Sequence, residues 1–388
     1  MSHERPWFVF SGGGTGGHLF PALAVISELR RAAPEADVTV LCTNRPIDRH
    51  ILDRAGIEAV PQSVRPFTMK PWHWPGFWLA WRGAIRACEQ LFSRRRPAVV
   101  VGAGGYASDP PVRAALKIGI PTAILNPDLV PGRANRRLGR RVDRVFAQWE
   151  GTARYLRHVR GLRAWGCPVR AAFATPRQVR REAGLGIFGL QSNRRTLLVT
   201  GASQGARTIN DALIVLAPRL GERFGLQPTS GVGWQVVHLT GSADVECVRA
   251  AYEAAGLPAA VLAFTDHMAE AMAVADLAVS RAGASTLAEL TVAGVASVLM
   301  PYPFHRDQHQ MHNARELQQA GAAEIVEDRA DAAANAGRLW PVLSRLMGEP
   351  AQLDAMVGAA RRVAKPDAAG RIAEELLVLS RRGDRDGP

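Results

Sequence analysis

Two doubly wound α/β domains facing a cleft are the fold this sequence predicts, and three observations predict it. Apolar, strand-like runs alternate with helix-like stretches in the first half, and the pattern restarts in the second. The first strand of each half runs into a turn rich in glycine and other small residues. At 388 residues the chain is also too long for one ordinary core. Strand, glycine turn, helix, repeated in two blocks, is the pattern of parallel sheets covered by helices on both faces.

The elements follow in order. Trp7-Phe8-Val9-Phe10 reads as the first strand and Pro21 to Arg31 as an amphipathic helix. Between them lies Ser11-Gly12-Gly13-Gly14-Thr15-Gly16-Gly17-His18. Five glycines at a strand-to-helix junction let backbone N–H groups approach a phosphate or sugar oxygen at the positive end of a helix dipole. His18 stands on the rim of this loop, where an imidazole is able to take a proton from a hydroxyl at neutral pH. The second strand, Ala36 to Cys42, ends in Thr43-Asn44. Gly12, Gly14 and Gly17 fit the dinucleotide fingerprint, but that reading requires an acid at the end of the second strand to hold a ribose, and none is there.

Ala98 to Gly102 and Pro121 to Leu125 read as buried parallel strands, and Arg144 to Ala147 as a short one. A break falls near 174–194, with a charged helix from Thr175-Pro176 and a loop from Gly189 to Asn193. Strands resume at Arg195 to Thr200, Trp234 to Leu239, Asp276 to Ser280 and Ala296 to Met300.

Several loops carry candidate chemistry. Gly102 to Ser108 lies at the same sheet edge as the first loop, so it reads either as a second wall of an acceptor site or as a plain turn. Ser203, in Gly201 to Arg207, reads as an N-cap or a diphosphate ligand, and the two use the same geometry. Arg281-Ala282-Gly283-Ala284-Ser285-Thr286-Leu287-Ala288-Glu289 follows a strand. Glu289 falls one turn into the helix, placed either for ribose hydroxyls or as a first-turn acid favoured by the dipole. His305, His309 and His312 invite a metal, but no second carboxylate or cysteine cluster supports one. A sugar-hydroxyl site using Gln310 and Asn313 fits that stretch better.

Composition narrows the partners. No run of 18 apolar residues exists to span a bilayer, and the N-terminus leads straight into a strand without a signal peptide. Four scattered cysteines suit a reducing cytoplasm. Residues 1–190 carry 29 Lys+Arg and 13 Asp+Glu, a net of +16, while residues 191–388 carry 19 and 22, a net of −3. The basic half therefore faces a membrane surface, a pyrophosphate or a nucleic acid, or is simply a solvated surface. Four of the nine tryptophans fall in Pro66 to Arg82, followed by Arg86 and Arg94-Arg95-Arg96. Trp beside Arg suits a membrane interface, base stacking suits the same residues, and a buried core claims up to half of the rings.

Taken together, these motifs resemble one family. Gly13-Gly14-Thr15-Gly16-Gly17-His18 with Phe20-Pro21-Ala22, then Gly104-Gly105-Tyr106-Ala107-Ser108, Pro168-Val169-Arg170, Ser203-Gln204-Gly205-Ala206-Arg207 and Arg281-Ala282-Gly283-Ala284 are similar to the motifs of the bacterial lipid I N-acetylglucosaminyltransferases, the MurG family, in order and spacing over about residues 7 to 380. The resemblance implies a GT-B fold. Residues 1–174 would be an acceptor- and membrane-facing domain and 175–366 a UDP-sugar domain, with a helix over 367–381 crossing back to the first. It implies inverting transfer of N-acetylglucosamine from UDP-GlcNAc to the muramyl 4-hydroxyl of lipid I, giving lipid II at the cytoplasmic face of the inner membrane. It also implies no cofactor, no catalytic metal and no nucleic acid; the Asp384-Arg385-Asp386 triplet lies in the polar tail. Carried over by position, Thr15, Gly16 and Gly17 line the sugar and phosphate region, Tyr106 is a further substrate-binding residue, and His18 is the candidate base. Arg170, Ser203, Thr265 and Ala284 to Glu289 hold UDP, and Gln310 and Asn313 hold the donor sugar.

Two departures stand out. Leu125-Asn126-Pro127-Asp128 replaces the family's His-Glu-Gln-Asn, which makes Asp128 a rival base and sugar ligand, and Asp109 replaces a glycine. A related transferase acting on another lipid, such as a diacylglycerol, and a non-catalytic nucleotide-sugar-binding relative are the competing readings.

Overall fold

The computed structural model describes residues 5–14, 16–65, 70–156, 159, 161–201, 205–229, 231, 233–304 and 307–383. Thr15, residues 66–69, Ser203, His305 and the Asp384-Arg385-Asp386 triplet lie outside them. The chain forms two compact units, residues 1–171 with 365–388, and residues 172–364.

Unit 1 alternates strand and helix in chain order: β1 (Trp7–Ser11), α1 (Gly16–Ala32), β2 (Asp37–Cys42), α2 (Pro46–Arg54), β3 (Glu58–Pro61), α3 (Trp74–Arg94), β4 (Val99–Gly102), α4 (Asp109–Lys117), β5 (Thr122–Asn126), α5 (Arg133–Leu138), β6 (Arg144–Ala147) and β7 (Leu162–Arg163). Its strands lie in the order β3-β2-β1-β4-β5-β6-β7, and every pairing is parallel. The order reverses between β1 and β4, whose register pairs Phe8 with Val99 and Ser11 with Gly102. That reversal is the switch point at which such sheets open a crevice beyond the strand C-termini.

Unit 2 repeats the plan with α6 (Arg177–Ile187), β8 (Arg195–Thr200), α7 (Arg207–Phe224), β9 (Trp234–Leu239), α8 (Val245–Ala254), β10 (Ala259–Leu262), α9 (Met268–Val274), β11 (Leu277–Ser280), α10 (Ala284–Ala293), β12 (Ala296–Leu299), α11 (His309–Gln319), β13 (Ala323–Ile325), α12 (Ala332–Gly348) and α13 (Pro350–Val363). Its sheet runs β10-β9-β8-β11-β12-β13, again parallel throughout, with its switch point between β8 and β11. The last helix, α14 (Ala368–Gly383), belongs to unit 1 and packs on α1. Ile372, Ala373, Leu376 and Leu379 fall on one helical face and enter the core formed by Phe8, Phe10, Val25 and Leu29. The buried Ile and Leu side chains contribute about 1.5–3 kcal/mol each. Glu375 pairs with Arg144 of β6, and Arg371 lies 4.6 Å over the Trp165 ring.

The central strands match the apolar runs, several to the residue. The sequence reading passed over β3, β7, β10 and β13, and these are the four edge strands of the two sheets. Edge strands bury only part of their surface, so they carry no continuous apolar run to read. Helix α1 starts at Gly16 rather than Pro21, so Gly16, Gly17 and His18 form its first turn. Pro21 therefore lies inside the helix, in its second turn, where a proline leaves the Gly17 carbonyl without its i to i−4 donor.

The cysteines are free: Cys42, Cys88 and Cys167 are buried and Cys247 is exposed. Burial pushes the Cys88 thiol up to about 12, and burial followed by Asp48 pushes Cys42 up to about 11, so both remain protonated thiols. No described helix is long and apolar enough to cross a membrane.

The unit 2 core encloses a buried polar relay around His238. His238 of β9 is fully buried, with Nδ1 2.9 Å from the Tyr252 hydroxyl and Nε2 3.0 Å from Asn210 Oδ1. Asn210 donates its amide to the Thr240 carbonyl and Asp244, so its Oδ1 accepts from Nε2–H while the tyrosine donates to Nδ1. Burial pushes the His238 pKa down to about 3, well below its value in an unfolded chain. Below about pH 6.5 the unfolded chain takes up a proton here that the folded chain does not, so stability falls with pH by up to about 1.4 kcal/mol per unit. We expect His238→Gln to flatten this dependence in denaturant titrations between pH 7 and 5; an equal slope in both proteins would rule it out.

Candidate active site

At the unit 1 switch point the loops after β1 and β4 meet around His18. Its Nδ1 lies 3.3 Å from the Gly13 carbonyl. With a proton on Nδ1 donated to that carbonyl, the basic lone pair is on Nε2. The ring packs so closely on the second loop that a Cβ on Gly104 would stand 2.8 Å from His18 Cδ2. Gly104 also adopts φ +107°, in the region that favours glycine. Tyr106 continues the same wall, its ring edge 3.9 Å from where a Gly14 Cβ would be.

The glycine loop itself is held by Asp48, a fully buried carboxylate on α2 that the sequence reading overlooked. Gly14 N–H donates to both of its oxygens at 2.8 Å, and Thr43 donates its N–H at 3.1 Å and its hydroxyl at 2.5 Å to Oδ2. Gly12 N–H is taken by the Leu41 carbonyl at 3.1 Å. Of the loop amides expected to approach a ligand, those of Gly12 and Gly14 do not, because their protons point into the fold. Gly13 has φ +137°, and a Cβ there would lie 2.2 Å from Asp48 Oδ2. Arg45 donates to the Gly14 carbonyl at 2.9 Å and brings a guanidinium to the loop's outer edge.

Asp128 lies in the turn after β5, next to β4 in the sheet. Asn126 donates its amide to the Asp128 carbonyl at 2.7 Å and accepts from Asn135 at 3.0 Å, which fixes that turn. The Leu125-Asn126-Pro127-Asp128 departure thus forms its own brace beside the switch point.

An aromatic and basic groove of about 840 Å³ runs along α3 and α4. Trp74, Phe77, Trp78 and Trp81 line it, facing Tyr106 and Arg113. Asp109 Oδ2 accepts from Trp81 Nε1 at 2.7 Å and Arg113 Nε at 2.8 Å, and the Arg113 guanidinium lies 5.2 Å over the Trp81 ring. Asp109, the departure from glycine, therefore ties α3 to α4. The alternative of a buried core that claims up to half of these rings does not hold for the tryptophans: Trp72, Trp74 and Trp78 are exposed and Trp81 is half-buried.

In unit 2, α10 opens at Ala284 directly after the switch-point strand β11, with Gly283 as a cap that has no side-chain acceptor of its own. Glu289 is buried in the second turn of α10, so it is not the first-turn acid of the alternative reading. The N-cap of α7 is Ala206, and Ser203 lies outside the described residues. Thr265 Oγ1 accepts from His267 N–H at 3.0 Å in the turn before α9. Gln310 and Asn313 sit beneath the 281–283 loop. Gln310 Oε1 accepts from Ala282 N–H at 3.2 Å and Tyr302 N–H at 2.9 Å, and the fully buried Asn313 amide donates to the Ala282 carbonyl at 3.5 Å. Both side chains thus hold the loop. Arg170 groups with unit 1, its guanidinium 5.1 Å over the Phe20 ring of α1. Among the described residues no three His, Cys, Asp or Glu form a group that could hold a metal.

Two parallel α/β units, each with small-residue loops at its switch point, make a GT-B fold. The N-terminal domain model of glycosyltransferase family 28 matches residues 8–147 and the C-terminal domain model residues 196–372. A UDP-N-acetylglucosamine–N-acetylmuramyl-(pentapeptide) pyrophosphoryl-undecaprenol N-acetylglucosamine transferase from Sorangium cellulosum is 39% identical over 96% of this chain and 88% of its own. One of the same description from Nitratidesulfovibrio vulgaris is 38% identical over 97% and 98%. The crystal structure of Acinetobacter baumannii MurG superposes with a TM-score of 0.74 at 25% identity, covering 97% of this chain and 100% of that one. The chain belongs to this MurG family of UDP-N-acetylglucosamine-dependent glycosyltransferases.

The packing of Gly104 on His18 makes a prediction. Gly104→Ala should displace the imidazole and lower kcat about 10²-fold, as a misplacement of about 1 Å does. Steady-state kinetics on the purified variant test this; full turnover would show that the ring position is not critical.

Proposed function

We propose that this chain makes lipid II by moving N-acetylglucosamine from UDP-GlcNAc to the muramyl 4-hydroxyl of lipid I, with inversion at the anomeric carbon. The observation that carries the reading is the end-to-end similarity to relatives described as that transferase, with glycine loops at both switch points. In this reading unit 1 takes the acceptor and unit 2 the nucleotide sugar. The 4-hydroxyl oxygen attacks the anomeric carbon, its proton passes to His18 Nε2, and the bond to the β-phosphate oxygen breaks with its electron pair leaving on UDP. The positive end of α10 and the backbone of Ala284 to Thr286 offset charge on the departing diphosphate. Glu289 accepts the ribose hydroxyls, Leu287 and Ala288 keep the helix close to the nucleotide, and Thr265 borders it. Gln310 and Asn313 act on the donor sugar by shaping the loop above them.

His18→Ala should lower kcat by about 10²–10⁴-fold with little effect on UDP affinity, whereas Asp128→Asn should retain turnover. Kinetics with UDP-GlcNAc and lipid I decide between them. Loss of turnover only in the Asp128 variant would move the base to that carboxylate.

We also infer that α3 docks unit 1 on the cytoplasmic face of the inner membrane, as a peripheral protein with no nucleic-acid partner. Trp72, Trp74, Trp78 and Leu79 are 72%, 42%, 48% and 77% exposed, an apolar set that water alone does not favour. Lys70, Arg82 and Arg86 flank it, as at membrane interfaces. Co-sedimentation with anionic vesicles should weaken with salt. Trp78→Ala with Arg82→Ala should weaken it at least about fivefold, given about 1 kcal/mol per basic residue at such a surface. Binding that ignores both changes would exclude this face.

A further inference from the structure

Asp328 lies between β13 and α12, and its carboxylate is fully buried, with 0% side-chain exposure. Four donors from three segments converge on it. Arg281 Nη1 reaches Oδ2 at 2.7 Å, and the Thr208 hydroxyl donates to the same oxygen at 2.5 Å. Ala330 N–H and the Asn335 amide donate to Oδ1 at 2.7 and 2.8 Å. Arg281 completes a closed ring by donating Nη2 to Thr208 Oγ1 at 2.7 Å, and its Nη1 also reaches the Met300 carbonyl at 2.8 Å. Tyr302 covers the guanidinium, its ring centre 5.7 Å away.

The positions of these partners matter more than their number. Thr208 is the second residue of α7, which follows β8, and Arg281 is the first residue after β11. β8 and β11 are the two strands between which the unit 2 sheet reverses. The ring therefore spans the switch point and joins the start of α7 to the loop that opens α10. Met300 and Tyr302 follow β12, so a third strand end is tied to the same guanidinium. A buried ion pair adds little net stability, because desolvation offsets its attraction, whereas its geometry is strict. A charged pair at this place therefore acts on spacing more than on stability.

We propose that Asp328 is a positioning residue of the nucleotide-sugar site: through Arg281 and Thr208 it sets the spacing of the α7 and α10 starts that receive the diphosphate of the donor. The inference rests on the assignment of the nucleotide to unit 2. The carboxylate touches no substrate in this scheme, and its effect passes wholly through the two side chains it holds.

The test uses the full chain with four substitutions. Asp328→Asn keeps the size but loses the charge that orders Arg281. Thr208→Val breaks the ring, and Thr208→Ser restores its hydroxyl. Glu289→Ala reports on the nucleotide assignment itself. We expect Asp328→Asn and Thr208→Val to raise the KM for UDP-GlcNAc and weaken UDP in calorimetry about ten- to hundredfold, as loss of a hydrogen bond to a charged group does. The KM for lipid I should stay unchanged, and Thr208→Ser should behave as the parent protein. A merely structural role would shift both KM values together or leave Thr208→Ser as impaired as Thr208→Val, and either result overturns the proposal. If Asp328→Asn does not fold, the Thr208 pair alone decides. If Glu289→Ala weakens UDP while the Thr208 and Asp328 variants do not, the positioning role fails and the nucleotide assignment stands. If none of the variants affects UDP, the assignment falls and the proposal with it.

Discussion

A glycine-rich loop has no side chains with which to hold its own shape, and the unit 1 site depends on how that problem is solved. Asp48 accepts Gly14 N–H from beneath the loop and anchors Thr43 at the end of β2. Charge-assisted bonds of this kind are strong, and the buried carboxylate would be costly without them. With the loop fixed, α1 opens at Gly16, which brings His18 against Gly104 and Gly105. The position of the imidazole is thus set by a carboxylate 30 residues further along the chain. Gly13 must be glycine because Asp48 occupies the space of its Cβ.

The same division of labour recurs in unit 2, where Gln310 and Asn313 hold a loop of alanine and glycine from its inner side. Small residues leave the outer surface open to a ligand, and long polar side chains from neighbouring elements supply the rigidity. Asn126 and Asn135 perform a similar task for the turn carrying Asp128. Side chains next to the crevices therefore fall into two kinds, those that meet a substrate and those that stiffen the backbone that does.

This distinction explains what was legible in the sequence. The central strands announced themselves because both their faces are buried, which leaves continuous apolar runs such as Val99-Val100-Val101. The glycine loops and His18 were visible because local composition marks them. Asp48 and Asp328 were not, since an isolated aspartate among polar neighbours carries no signal when its partners are about 35 and 120 residues away in the chain. Gln310 and Asn313 were visible as polar residues, but their orientation beneath the loop required the fold. The tryptophans of α3 were ambiguous for a related reason: helical spacing alone does not say which face is covered, and packing leaves Trp74 and Trp78 outside while Trp81 is half-buried.

The placement of α14 has a consequence for biosynthesis. Unit 1 is built from two stretches of chain with residues 172–364 between them, and Ile372, Leu376 and Leu379 close its core. A ribosome making about 5–20 residues per second needs roughly 10–40 s to cross that interval. Unit 2 is continuous, so every residue of its core has been made before α14. The face of α1 that receives α14 meanwhile stays uncovered on the nascent chain, so the half of the protein synthesised first is the last to be completed.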